Sequence, residues 1–207
     1  MIEWQFSKHP VPYEEAVSFM EKRVDEIYQG TKPELVWVLE HPHIYTTGPR
    51  AEESELVNTQ GISVVPTGRG GKTTYHGPGQ KVIYTLFDLN KRGKDLHQFV
   101  WQLEESLIQS LKSFDLNAER RKGRVGLWIQ TETSMSEEKI AAIGIRVRKW
   151  VTFHGASLNV NPDLSYFQRI IPCGLKGYGV TSMAQKGISV DSKTLNTVLK
   201  QNLKKYF

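Results

Sequence analysis

The sequence predicts an α/β fold of the α+β type, built on a largely antiparallel or mixed sheet. Three observations point there. Short β-type runs outnumber helical ones, and the helical patterns fall irregularly among them instead of in a regular βαβ alternation. A hydrophobic content of 39% over 207 residues is enough for a sizeable core. No internal repeat or low-complexity tract divides the chain, so residues 1–207 are expected to form a single domain.

Taken in order, Val17, Met20, Val24 and Ile27 recur at helical spacing between Tyr13 and Gln29, and Gly30 supplies a stop. An amphipathic helix covering a sheet is expected there. β-type runs follow at Leu35 to Leu39, Ile62 to Val65 and Lys81 to Phe87. Asp95 is an N-cap for the clearest helix, with Leu96, Phe99, Val100, Leu103, Leu107 and Leu111 on one face. Strands are expected at Arg124 to Gln130, Ile140 to Val147 and Val151 to Val160, the last two forming a hairpin around Arg148 and Lys149. The polar stretch from Thr131 to Glu138 reads as an exposed loop or hairpin connection, and Tyr166 to Arg169 as a short helix. A helix from Asp191 to Lys205, with Leu195, Val198, Leu199 and Leu203 as its apolar face, closes the chain.

No apolar run approaches the roughly 18 to 20 residues of a membrane span, and the N-terminus lacks a basic region followed by an apolar one. No membrane association and a cytoplasmic location are therefore expected. The net charge of +5 suits an acidic partner or a merely solvated basic surface. Basic residues gather at Arg120, Arg121, Lys122 and Arg124, at Arg146, Arg148 and Lys149, and at Lys200, Lys204 and Lys205. They sit in no recognisable nucleic-acid module. The single cysteine, Cys173, excludes an internal disulfide and a cysteine-rich metal site, which leaves packing or chemistry.

Gly68 to Gln80 is the densest unusual segment, with five glycines between two β-type runs. Such backbone can wrap a substrate or cradle an anion, with Arg69 and His76 as polar anchors, or be only a glycine-rich turn. It is not a phosphate-binding Walker loop, because no Gly-Lys-Ser/Thr closes it ahead of a helix. Lys139 heads a strand in which Ala142 and Gly144 leave room beside the backbone, and His154-Gly155-Ala156-Ser157 would form a second narrow wall. Cys173 lies between Pro172 and Gly174, a setting that suits an exposed turn. A thiol there can act as a nucleophile if a cation or base favours the thiolate; Lys139, His76 and His154 are the available partners.

Four of these segments, in this order, are similar to the signatures of lipoyl(octanoyl) transferases. They are Arg69-Gly70-Gly71-Lys72-Thr73-Thr74-Tyr75-His76-Gly77-Pro78-Gly79-Gln80, Lys139 to Gly144, His154 to Asn161, and Ile171-Pro172-Cys173-Gly174. The resemblance extends through Asp163 to Phe167 and Val180 to Met183, and is weak over the first 40 or so residues. It implies an enzyme that moves an octanoyl group from acyl carrier protein to a lysine of the lipoyl domains of 2-oxoacid dehydrogenases or the glycine-cleavage H protein. It further implies Cys173 as acyl-thioester nucleophile, Lys139 as its partner, and three substrate-binding segments. These are Arg69 to His76 as written above, Ala142-Ile143-Gly144 and Gly155-Ala156-Ser157. The implied fold resembles the catalytic domain of biotin and lipoate protein ligases, with a main mixed sheet, a smaller sheet and flanking helices.

Thioester exchange is nearly balanced and aminolysis of a thioester is downhill, so no cofactor, ATP or metal is expected. The nearest alternative is an ATP-dependent lipoate or biotin protein ligase on the same fold. Others are a Cys-His hydrolase using Cys173 with His76 or His154, and a basic binding module.

Overall fold

The computed structural model describes residues 1–131, 136–175 and 177–207. The chain runs β1 (Ile2–Phe6), α1 (Tyr13–Tyr28), β2 (Glu34–Leu39), β3 (Ile44–Thr47), β4 (Val64–Pro66), β5 (Thr74–His76) and β6 (Gln80–Leu86). It continues through α2 (Leu96–Lys112), β7 (Glu119–Arg121), β8 (Arg124–Gln130), β9 (Glu137–Arg148), β10 (Val151–Asn159), β11 (Gly179–Val180) and α3 (Ser192–Tyr206). Among the described residues these strands form two mixed sheets. The main one has the order β1-β2-β6-β10-β9-β8-β7, with β11 beside β9, and the smaller one the order β4-β3-β5. The α+β class with a mixed main sheet, a smaller sheet and flanking helices is therefore the observed architecture.

The main sheet is covered on both faces, which is why every residue of its central strands β6 and β10 is buried. In β2, Leu35, Trp37 and Leu39 face the helix α1 through Ala16, Met20, Val24 and Ile27. Val36 and Val38 join a core on the other face with Leu103, Leu107 and Leu111 of α2 and Leu195, Leu199 and Leu203 of α3. Asp95 caps α2 by accepting the Gln98 N–H at 2.9 Å, a contact worth about 1 kcal/mol. Asp191 does the same for α3.

The hairpin expected after β9 is present, with Arg148 paired to Val151 and the two turn residues Lys149 and Trp150 at φ 53° and 61°. Other boundaries move. The strand expected from Ile62 begins at Val64, because Ile62 instead closes a turn on Thr59. The strand expected from Ile140 begins at Glu137, since Glu137, Glu138 and Lys139 already pair with β8. Glu137 and Glu138 thus belong to a strand and not to the polar connection read over Thr131 to Glu138; Glu132 to Met135 of that reading lie outside the described residues. The glycine-rich segment is not all loop: Thr74–His76 is β5, antiparallel to β3.

Candidate active site

Adjacent backbones of β9 and β10 form one wall of a narrow cleft, with Ala142 opposite Ser157, Ile143 opposite Ala156 and Gly144 opposite Gly155. The segment ahead of β5 lies across it, tied down where the Gly70 N–H donates to Ile145 O at 3.0 Å. Arg69 locks this segment from inside. Its guanidinium donates to Thr46 O at 2.8 Å, Thr46 Oγ1 at 2.7 Å, Lys72 O at 2.9 Å and Gly70 O at 3.0 Å. Only 7% exposed and paired with neutral oxygens, it places a cation in the cleft wall with no carboxylate to cancel it among the described residues. Burial lowers its pKa from the free value, but an arginine stays charged at neutral pH.

The Pro172–Gly174 turn presents the thiol. Cys173 has φ 58° and ψ 17°, a left-handed conformation that few non-glycine residues adopt. The turn is held at its backbone: the Cys173 N–H donates to Thr73 O at 2.9 Å and the Ile171 N–H to Glu55 O at 2.7 Å. The Glu55 carboxylate in turn accepts the Thr73 N–H at 3.0 Å and pairs with Lys72 Nζ at 3.0 Å. One buried glutamate therefore couples the turn to the segment that covers the cleft. Lys139 reaches the same point from β9. Its Nζ lies 3.1 Å from Cys173 Sγ, donates to Val125 O at 3.2 Å and sits 4.8 Å above the Trp128 ring. At 7% exposure, this ammonium has a thiol, one carbonyl and an aromatic face as its neighbours.

Most of the segments singled out in the sequence converge here. Arg69, Gly71, Lys72, Thr74, His76, Ala142 to Gly144, Gly155 to Ser157 and Cys173 line the cleft. Gly70 contributes backbone pairing, Thr73 holds the Cys173 turn, and Tyr75 is buried in the small sheet with its hydroxyl 2.7 Å from His43 Nδ1. Lys139 is the third residue of its strand and not its head. The Cys173 turn is half-buried and not fully exposed. Two small residues read as room for a ligand also answer to packing. A Cβ on Gly155 would meet Ile83 O at 2.0 Å, which the fold does not allow, and one on Gly144 would sit tightly, 3.0 Å from Gly70 O. Of the three partners available to the thiol on sequence, the lysine is the one at hydrogen-bond distance. His76 Nδ1 instead pairs with Gln80 Oε1 at 2.6 Å. Tyr13, Val82 and Tyr84 also line the cleft. Val82 and Tyr84, two residues apart on β6, share one face of the strand; nothing local marks Tyr13.

Half of the residues in the basic clusters are engaged in ion pairs. Arg120 pairs with Glu104 and Glu105, Arg121 and Arg124 with Glu137, and Arg148 and Lys149 with Asp25.

Three histidines are buried around the inner end of the cleft. Desolvation pushes His41 down to about 4, and desolvation with the positive charge of neighbours pushes His76 and His154 down to about 3. For His154 those neighbours are Arg69 and Arg146. All three are neutral in the folded protein at pH 7. A group whose folded pKa is below the unfolded value near 6.5 contributes no penalty above that pH and destabilises progressively as pH falls toward the folded value. Unfolding free energy measured by urea titration at pH 7, 6 and 5 is therefore expected to fall, with a slope approaching about 4 kcal/mol per pH unit once all three protonate in the unfolded chain. A flat profile over that range would contradict the burial of the cluster.

A model of the lipoyl protein ligase A/B catalytic domain matches residues 12–204. An octanoyltransferase of Parvibaculum lavamentivorans is 49% identical over 207 residues, spanning 99% of this chain and 92% of that protein. One from Paramagnetospirillum magneticum is 52% identical over 188 residues, spanning 91% and 88%. Among solved structures, a bipartite lipoate protein ligase of Thermoplasma acidophilum superposes with a TM-score of 0.72 at 16% identity, covering 100% of this chain and 84% of that one. That likeness concerns the fold alone.

Proposed function

The chain belongs to the lipoyl protein ligase A/B catalytic-domain family and, within it, to the octanoyltransferases; from that premise we propose a covalent route in which Cys173 carries the octanoyl group and Lys139 serves it. The donor in this reading is octanoyl-acyl carrier protein. The acceptors are lysines on the lipoyl domains of 2-oxoacid dehydrogenases and on the glycine-cleavage H protein. Residues 1–207 act as one catalytic domain. The contact that carries the proposal is the 3.1 Å separation of Lys139 Nζ and Cys173 Sγ at the edge of a narrow cleft.

An ammonium at that distance favours the thiolate by charge pairing, and the uncancelled Arg69 guanidinium adds to the positive potential. The thiolate attacks the donor carbonyl. A C–S bond to Cys173 forms, the donor C–S bond breaks, and the departing thiolate takes the proton of Lys139. The neutral Lys139 then accepts a proton from the acceptor amine as that amine attacks the Cys173 thioester. A C–N bond forms, the C–S bond breaks, and the thiolate–ammonium pair is restored. The donor thioester already carries the activation, so neither half-reaction consumes ATP.

Intact-mass spectrometry after incubation with octanoyl-acyl carrier protein tests this. The expected result is one octanoyl group added to the protein, removed on addition of a lipoyl domain, with no ATP or magnesium present. A strict requirement for ATP, with no adduct formed without it, would move the assignment to the ligase chemistry available on the same fold.

A further inference from the structure

The cleft that holds Cys173 has a second cavity behind its inner end. Tyr13 and His154 line both spaces. They stand between the cleft and a pocket of about 360 Å³ bordered by Val17, Val65, Pro66 and Arg146. On the opposite side of Cys173 the adjoining space is about 10 Å³, against about 50 Å³ for the cleft. The cleft is the roomier side, and a chain carried as a thioester on Cys173 runs along it toward Tyr13 and His154.

The distance is informative. Ser157 lines the spaces on both sides of Cys173, and His154 lies three residues earlier on the same strand. At the strand rise that is about 10 Å, close to the length of an extended eight-carbon acyl chain. His154 is held in place by an uncommon conformation, with φ 60° in the middle of a strand and only 3% exposure. Phe153 stacks on its ring at 5.1 Å and Tyr84 meets it edge-on at 6.0 Å. Tyr13 is fixed at the start of α1 by His41 at 5.3 Å.

We propose that the rings of Tyr13 and His154 form the end wall of the acyl cleft, set its acyl length at about eight carbons, and bar longer chains from the pocket behind. The inference rests on the covalent reading of Cys173. Removing either ring opens the cleft into the rear pocket, so longer acyl groups are accepted.

The test offers octanoyl- and dodecanoyl-pantetheine together and reads the two adducts by intact mass. The wild-type protein is expected to take octanoyl in preference. Tyr13→Ala and His154→Gly should each raise the dodecanoyl-to-octanoyl ratio about tenfold or more. Glycine suits the positive φ at position 154, so that variant retains its backbone; Tyr13→Leu serves if Tyr13→Ala fails to fold. Tyr13→Phe keeps the ring and should keep the wild-type ratio. An unchanged ratio in folded opened variants that still acquire octanoyl overturns the end wall while leaving Cys173 as carrier. So does an equal shift in Tyr13→Phe. No adduct from either thioester on the wild-type protein overturns the covalent reading and this inference with it.

Discussion

Cys173→Ala is expected to fold, to acquire no octanoyl group, and to lose transfer to a lipoyl domain by about 10⁴-fold or more. The fold should survive because the turn is secured by backbone, through the Cys173 N–H to Thr73 O and the Ile171 N–H to Glu55 O, and not by the sulfur. Alanine meets the same left-handed backbone that cysteine already tolerates at φ 58°. The readouts are the unfolding midpoint, the intact mass after exposure to octanoyl-acyl carrier protein, and turnover. Near-normal turnover in a folded variant would mean that the acceptor amine attacks the donor thioester directly, and the covalent route would be lost.

Lys139→Met should slow alkylation of Cys173 by iodoacetamide at neutral pH and lower turnover by about 10² to 10⁴-fold, the usual range for losing a positioned acid–base group. Methionine fills similar space beside Trp128 but brings no charge to the sulfur 3.1 Å away. Lys139→Arg separates the two duties. A guanidinium retains the charge and the stacking on Trp128 but does not shuttle a proton. Alkylation and acyl-enzyme formation should therefore survive better in Lys139→Arg than does transfer onward to the lipoyl domain. Normal alkylation and turnover in Lys139→Met would remove the lysine from the chemistry.

Burial of the three histidines argues against their use as proton carriers at neutral pH. His76 and His154, both down to about 3, are too weakly basic to take a proton from a thiol there, and neither occupies the position that Lys139 does. This bears on the Cys-His hydrolase considered from sequence. The imidazoles instead shape the inner end of the cleft.

Local periodicity and capping determined the three helices and the strands β2, β6, β8, β9 and β10, because each carries an apolar pattern long enough to register. The four glycine-, lysine-, histidine- and cysteine-bearing segments likewise announced the family, since their order and spacing survive in the linear chain. What escaped is short or at an edge. β3 has four residues, β5 is three residues inside a glycine-rich segment, β7 is Glu119–Arg121 with no apolar alternation, and β1 pairs only with β2. Their strand character comes from the partner and not from their own side chains. The site shows the same division. Cys173 and Lys139 stand out as residue types, but 34 positions separate them, and only the fold, which brings the Pro172–Gly174 turn up to the Lys139 side chain, puts Nζ against Sγ. Tyr13, at the start of a helix outside the four signature segments, becomes part of the cleft because α1 packs over β6 and β10. Secondary structure is encoded by neighbours along the chain, whereas the lysine–thiol contact and the wall of the acyl cleft are encoded by which faces of distant elements must be buried against one another.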